Sequence, residues 1–259
     1  MEQPRLFKTE AIVLRHRPLG EADRLVVLLS PTHGKLEAKA KGVRRAKSRM
    51  GGHLQPLTRI VAQLAQGHSR PVVAGCQTLE SFPSLQADLD RLGMGLYACE
   101  LADRFLPLGA EAYPAYSALL ETLRWLERGT TPALALRRFE ARLLHLSGFG
   151  PELERCLSCG RGPLPRGAFA PLAGGVLCPA CAQGQAGARP LSAGALSALR
   201  LLQRGTTGEV SRLRLPPALA REVELHLRAY IAHLLEGDAR SAGFLDHLQR
   251  QPLAAGQEV

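Results

Sequence analysis

Two Cys-x-x-Cys pairs, Cys156–Cys159 and Cys178–Cys181, stand 18 residues apart in this chain. No other feature restricts its backbone as tightly. A Cys-x-x-Cys turn brings two thiolates to one side. Two such turns complete a tetrahedral four-sulfur shell with metal–sulfur distances of about 2.3 Å. The spacing predicts one structural zinc ion, Zn2+, held by Cys156, Cys159, Cys178 and Cys181. A closed shell of this kind leaves no open coordination position, so Lewis-acid catalysis is not expected. Gly160, Gly162, Gly174 and Gly175 suit the tight backbone around it. The stretch between the pairs is too short and glycine-rich to bury a core, so ligation is expected to hold it. Disulfides or redox dithiols are the other readings of such pairs; a cytoplasmic location disfavours the first, and no nearby βαβ pattern supports the second. Cys76 and Cys99 fall in strand and helix patterns and read as small buried apolar residues.

The charge is unevenly placed. The whole chain of 259 residues carries 33 Lys+Arg against 23 Asp+Glu, a net charge of +10. Residues 1–80 hold 14 of those bases and 6 of the acids, so most of the surplus belongs to the first third. A hydrophobic content of 46% with 22% charged residues describes a globular chain. The basic balance favours nucleic acid or an anionic surface as partner. No apolar run approaches the length of a membrane helix. The opening MEQPRLFKTE lacks the apolar core of a signal peptide, so a cytoplasmic location is expected.

Within the basic third, the stretch KLEAKAKGVRRAKSR concentrates the charge on Lys35, Lys39, Lys41, Arg44, Arg45, Lys47 and Arg49. Its first half alternates, with Lys35, Glu37, Lys39 and Lys41 separated by Leu36, Ala38 and Ala40. That period of two predicts a half-buried strand with one charged face. Gly42 ends the strand, and the later cations fall on a loop. Such a strand and loop can present cations to a polyanion; edge lysines can also simply discourage sheet-to-sheet pairing.

Residues 6–80 read as five short strands: Leu6–Arg15, Leu25–Leu29, the basic strand, Leu57–Ala65 and Val72–Leu79. The continuous apolar run Leu25–Leu29 suits a strand buried on both faces. Five strands in this length suit a small barrel, either OB-type or SH3-like. From Ser84 the period becomes helical. Leu85, Leu89, Leu92, Leu96 and Cys99 predict one amphipathic helix ending before Pro107. Pro114 opens a second, closed by Gly129, and Thr131-Pro132 a third, ending at Gly148. Short connections predict antiparallel packing of the three. After Ser192 helices resume, with Pro216–Leu235 the clearest. The expected organisation is α+β: a small barrel over 1–80, helices over 81–150, a zinc-binding insertion over 151–190, helices over 191–250 and a disordered tail over 251–259.

Sites for chemistry are sparse. There is no HExxH, no GxxxxGK[ST] and no GxSxG. His226 and His233 share a helix face and are expected to be solvated. Glu21 and Asp23 in Gly20–Arg24 (GEADR) could bind a nuclease metal; a turn salt-bridged to Arg24 is the simpler expectation. Residues 1–80 contain one aromatic, Phe7. Without a platform for base stacking, any nucleic-acid binding there must rest on phosphate contacts. Arg15, Arg17 and Arg24 are expected to extend the basic patch.

The N-terminal run from FKTEAIVLRHRPLGEADRL to SRMGGHLQPLTRI closely resembles the bacterial RecO family of DNA repair proteins, most specifically in GEADR, THGK and AKGVRR. RRFEARLLHLSGFGPELERCLSCG resembles that family's passage from helices to cysteines. The resemblance covers about residues 6–182. It implies an N-terminal OB fold, a helical domain and a zinc-finger-like insertion, and a non-enzymatic role as recombination mediator. It further implies binding of single- and double-stranded DNA and annealing of complementary strands. The partners it implies are RecR and the tail of the single-strand-binding protein (SSB), with RecA loading as the outcome. The basic surface carries over onto Lys35, Lys39, Lys41, Arg44, Arg45, Lys47 and Arg49, and the metal site onto Cys156, Cys159, Cys178 and Cys181. The family's groove for that tail is expected on the helices, with Arg124, Arg128, Arg137, Arg138 and Arg142 as candidates. Two other classes remain open: a zinc-ribbon factor of transcription or translation, and a metal-dependent nuclease using Glu21 and Asp23.

Overall fold

The computed structural model of the chain describes residues 6–237, residue 239 and residues 241–243. The expected tail over 251–259 and the end of the segment 191–250 lie outside these. The chain divides into two compact units, one comprising Met1–Pro132 with Ala239–Val259, the other Ala133–Asp238.

The first unit begins with five strands: β1 (Leu6–Leu19), β2 (Asp23–Ser30), β3 (Gly34–Ala40), β4 (Arg59–Ala65) and β5 (Val72–Glu80). They form a barrel in the order β1-β2-β3-β5-β4, with β4 returning to pair with β1. All neighbours are antiparallel except β3 and β5, which meet in parallel at Lys39 and Val72. This is the Greek-key arrangement of an OB fold, which decides between the two barrels the strand spacing allowed. β1 runs on to Leu19 instead of ending near Arg15, because a register shift between Val13 and Arg15 lets it bend and stay paired with β2.

Alternation sorts the side chains. Val26, Leu28, Ala38, Ala40, Ile60, Ala62 and Leu64 fill the barrel with Ala11 and Val13. On β2 the other face, Leu25, Val27 and Leu29, is buried too, since helices of the same unit pack on β1 and β2. The continuous apolar run therefore is a strand covered on both sides.

The expected single helix after Ser84 is two, α1 (Pro83–Ala87) and α2 (Leu89–Phe105). Asp88 breaks them. Its backbone is extended, and its side chain accepts the Arg91 amide at 3.1 Å, capping α2. Leu89 is consequently half exposed. The covered side of α2 is built from small residues and Tyr97, Cys99 and Leu101. A Cβ on Gly95 would lie 3.2 Å from Leu57, so glycine lets α2 close onto the barrel loop. α3 (Tyr113–Arg128) follows as expected, ending at Gly129 with φ 71°; the Trp125 indole donates to Thr130 O at 2.6 Å.

α4 (Pro132–Leu146) belongs to the second unit. Of the three helices expected over 81–150, α4 therefore lies in a different unit from α2 and α3. α4 is buried around most of its circumference, Arg137, Arg138 and Glu140 included. Arg137 pairs with Glu140 at 2.9 Å and Glu224 at 3.2 Å. Those charges tie α4 into its own unit.

The cysteine-bearing stretch is more than a metal-held loop. β6 (Gly167–Ala170), β7 (Gly175–Leu177) and β8 (Arg189–Leu191) form an antiparallel sheet in the order β7-β6-β8, with α5 (Pro179–Ala182) between β7 and β8. The helices α6 (Ala193–Arg204), α7 (Thr207–Ser211) and α8 (Pro217–Leu234) follow, and the sheet packs on α8 through Phe169. Phe169 is 1% exposed, its ring centroid 5.5 Å from His226 and 5.6 Å from Tyr230. Arg200 of α6 donates to Leu153 O at 2.6 Å and Leu164 O at 3.0 Å. The expectation that this stretch buries no core is thus corrected: its apolar residues find their partners on distant helices. His226 is corrected with it. It is buried, and only His233 of that pair is exposed.

Candidate nucleic-acid interface and metal centre

The loop after β3 is pinned at both ends by its apolar residues. Val43 is buried in the barrel core, Met50 packs against that core, and Leu54 is fully buried. Lys41, just before Val43, and Arg44, Arg45, Lys47 and Arg49, between Val43 and Met50, are all exposed. The backbone is tied down locally, with Arg45 N donating to Gly42 O at 3.2 Å and Ser48 N to Arg45 O at 2.9 Å. Five cations thus project from one short, anchored segment. Lys39 precedes them on the outward face of β3, opposite the inward Ala38 and Ala40.

Lys35 stands apart from this group. Its ammonium donates to Asp103 O and lies 3.3 Å from Asp103 Oδ1, with only 11% of the side chain exposed. Arg15 is ion-paired to the same carboxylate. Arg17 is exposed, while Arg24 is half-buried with its Nη1 shielded from solvent. Of the three expected extensions of the patch, Arg17 is the one held open. Phe7 stacks on His33 at 4.6 Å.

The GEADR turn has a different use from the one expected. Asp23 Oδ1 accepts the Gly42 amide at 2.7 Å instead of pairing with Arg24. Ala22 O accepts Arg44 N at 2.9 Å, and Gly20 O accepts Arg44 Nη1 at 3.1 Å. Sequence reading missed this support, although the short polar turn was visible. Glu21 and Asp23 join no group of three metal-ligating side chains among the described residues.

The arginines named for a peptide groove are largely engaged. Arg124 pairs with Glu80 at 2.6 Å. Arg137 is in its buried ion pairs, and Arg138, also buried, faces Leu202 O and Thr207. Arg128 is exposed and Arg142 half-buried.

The four cysteines converge. All four Sγ atoms of Cys156, Cys159, Cys178 and Cys181 lie within 4.8 Å of one another. Cys159 and Cys178 are 3.9 Å apart, close to the edge of about 3.8 Å that a tetrahedron with bonds of about 2.3 Å requires. The first turn is closed by Gly160 N to Cys156 O at 2.9 Å, with Gly160 at φ 71°. The second is set by β7 running into Cys178, which caps α5. Leu157 N donates to Val176 O at 3.0 Å, joining the turns. Gly175 allows the approach: a Cβ there would sit 2.3 Å from Glu152 O. Burial opposes ionisation of Cys156, but the backbone amides of Cys178, Cys159 and Ser158 outweigh it and bring its thiol down to about 6. The backbone around Cys156 thus favours its thiolate; at Cys181 the Ser158 hydrogen bond acts the same way, but the neighbouring Cys178 and Cys159 thiols outweigh it and push its thiol up to about 11. Outside the cluster, burial pushes Cys99 up to about 12 and Cys76 to about 11, in keeping with inert thiols.

The family profile described as "Recombination protein O N terminal" matches residues 1–82, and that described as "Recombination protein O C terminal" matches residues 86–242. The chain belongs to the RecO family. It is 40% identical over 247 residues to the DNA repair protein RecO of Roseiflexus sp. (strain RS-1), covering 95% of this chain and 87% of that one. Over 250 residues it is 37% identical to the RecO of Dehalococcoides mccartyi (strain CBDB1), with 96% and 98% covered. The RecO of Desulforudis audaxviator is 41% identical over 239 residues, with 92% and 96% covered. The barrel with its basic loop falls inside the N-terminal RecO match and the four cysteines inside the C-terminal one. Among the described residues no helix is long and apolar enough to cross a membrane.

Proposed function

We propose that this RecO-family chain is a non-enzymatic recombination mediator of the cytoplasm. It binds single- and double-stranded DNA mainly through phosphates, anneals complementary strands, and with RecR helps load RecA onto strands covered by SSB. The observation that carries the DNA-binding part is the anchored loop with five exposed cations, Lys41, Arg44, Arg45, Lys47 and Arg49, beside Lys39. Cations at that density lower the repulsion between two phosphate backbones. The barrel segment over residues 1–80 has a single aromatic, Phe7, stacked on His33, so it leaves bases unstacked and free to find complements. Annealing in this way requires no covalent step. The roles with RecR, RecA and SSB rest on membership of the RecO family. Zinc, held by Cys156, Cys159, Cys178 and Cys181, would stabilise the second unit.

The test is annealing of SSB-coated complementary oligonucleotides, with and without RecR. Lys39→Glu combined with Arg44→Glu should lower both DNA affinity and annealing by about tenfold or more, with zinc content unchanged. Wild-type annealing by that double variant would overturn the reading.

A further inference from the structure

The basic loop rests on an acid. Asp23 Oδ1 accepts the amide of Gly42, the residue at which the chain leaves β3 and turns with φ 64°. The Asp23 carboxylate lies in the GEADR turn, whose Ala22 and Gly20 carbonyls accept the backbone amide and the guanidinium of Arg44. Beside exposed cations a carboxylate works against a polyanion, because its field repels phosphate. Charge alone therefore predicts that deleting it strengthens DNA binding. The geometry predicts the opposite, since this carboxylate fixes the first turn of the loop through a charge-assisted hydrogen bond.

We propose that Asp23 is a positioning residue for the DNA-binding loop: it holds Lys41, Arg44, Arg45, Lys47 and Arg49 in one orientation through the Gly42 amide. This rests on the reading of that loop as the DNA interface. A loop released from Gly42 keeps all its cations but must be ordered anew on each binding event, and it engages fewer phosphates at once.

Three full-length variants test it. Asp23→Ala removes charge and acceptor. Asp23→Asn removes the charge and keeps an oxygen acceptor. Glu21→Ala removes the same charge from the exposed neighbour in the turn. Binding of a thirty-residue oligo-dT is read by anisotropy across a salt series. Loop order is read by the rate of tryptic cleavage after residues 41–49, relative to cleavage after Arg59 inside β4, which reports barrel unfolding.

In Asp23→Ala, cleavage of the loop should rise about fivefold or more, affinity fall about three- to tenfold, and the salt slope become shallower. Asp23→Asn should restore both to within about twofold. Glu21→Ala should leave cleavage unchanged and bind as tightly as wild type or tighter. Unchanged loop cleavage in Asp23→Ala, or affinity equal to that of Glu21→Ala, overturns the proposal. In the latter case the Lys39→Glu, Arg44→Glu protein shows where the fault lies. If it too binds normally, the loop is not the interface; if its binding is lost, only the role of Asp23 is wrong. Should Asp23→Ala melt early or cleave after Arg59, Asp23→Ser replaces it with the same expected and overturning results.

Discussion

The Lys35 ammonium lies 3.3 Å from Asp103 Oδ1, with both side chains largely shielded from water. One cation of the basic strand is thus bound into the fold of its own unit. Lys35→Met should therefore leave the affinity for oligo-dT and its salt slope close to wild type. It should also lower stability by about 1–3 kcal/mol, because Asp103 loses a partner while Arg15 remains. Urea denaturation and anisotropy on the same preparation separate the two effects.

The exposed cations should behave differently. Arg45 is exposed on the anchored loop. Arg45→Ala should reduce the slope of log K against log salt by about 0.7–0.9 and weaken binding evenly across sequences. A salt titration on two oligonucleotides of unrelated sequence measures both.

Metal and packing should share the work of holding the second unit. Purified protein should carry one zinc ion per chain by elemental analysis. Cys178→Ser, or chelation, should destabilise this unit by at least about 3 kcal/mol while the barrel keeps its oligo-dT binding. Calorimetry resolving two transitions is the measurement.

Phe169 offers the complementary test. Its ring is packed against His226 and Tyr230. Phe169→Ala should cost about 3–5 kcal/mol in the same unit, and zinc stoichiometry should be retained in the folded fraction.

His226 should make this unit sensitive to acid. Burial lowers its pKa, with Glu222, the Pro190 backbone and Arg189 as smaller influences. A folded pKa below the unfolded value of about 6.5 means that the unfolded chain binds the proton more readily. Stability is therefore complete above about pH 6.5 and falls as the pH drops below it. His226→Gln should flatten that fall. Denaturation midpoints between pH 5 and 7.5 check the sign.

Parts of this molecule are legible in its residues because they follow local rules. The alternation from Lys35 to Lys41 set the inward Ala38 and Ala40 against outward charge, and the structure has them so. Pro114 and Gly129 bound α3 as their backbone preferences require. The cysteine pairs met because their spacing answers to a tetrahedron. The break at Asp88 was less legible, since the leucine stripe continued through it and only the capping hydrogen bond to Arg91 reveals the stop.

By itself, then, the sequence determined the five barrel strands, most of the helices, the four-thiol cluster and which segment carries the positive charge, but not the three-stranded sheet β7-β6-β8. The features it determined depend on residues near one another in the chain, or on a periodicity that one element must satisfy. Tertiary structure alone decided which cations stay available and which are bound: Lys35 found Asp103, 68 residues away, while Arg137 found Glu224. It also decided that His226 is buried under Phe169 and that Asp23 serves Gly42 instead of Arg24. Each of these outcomes is a competition among partners distant in sequence. No local pattern ranks such partners, because burial and distance enter the energy only once the chain has folded.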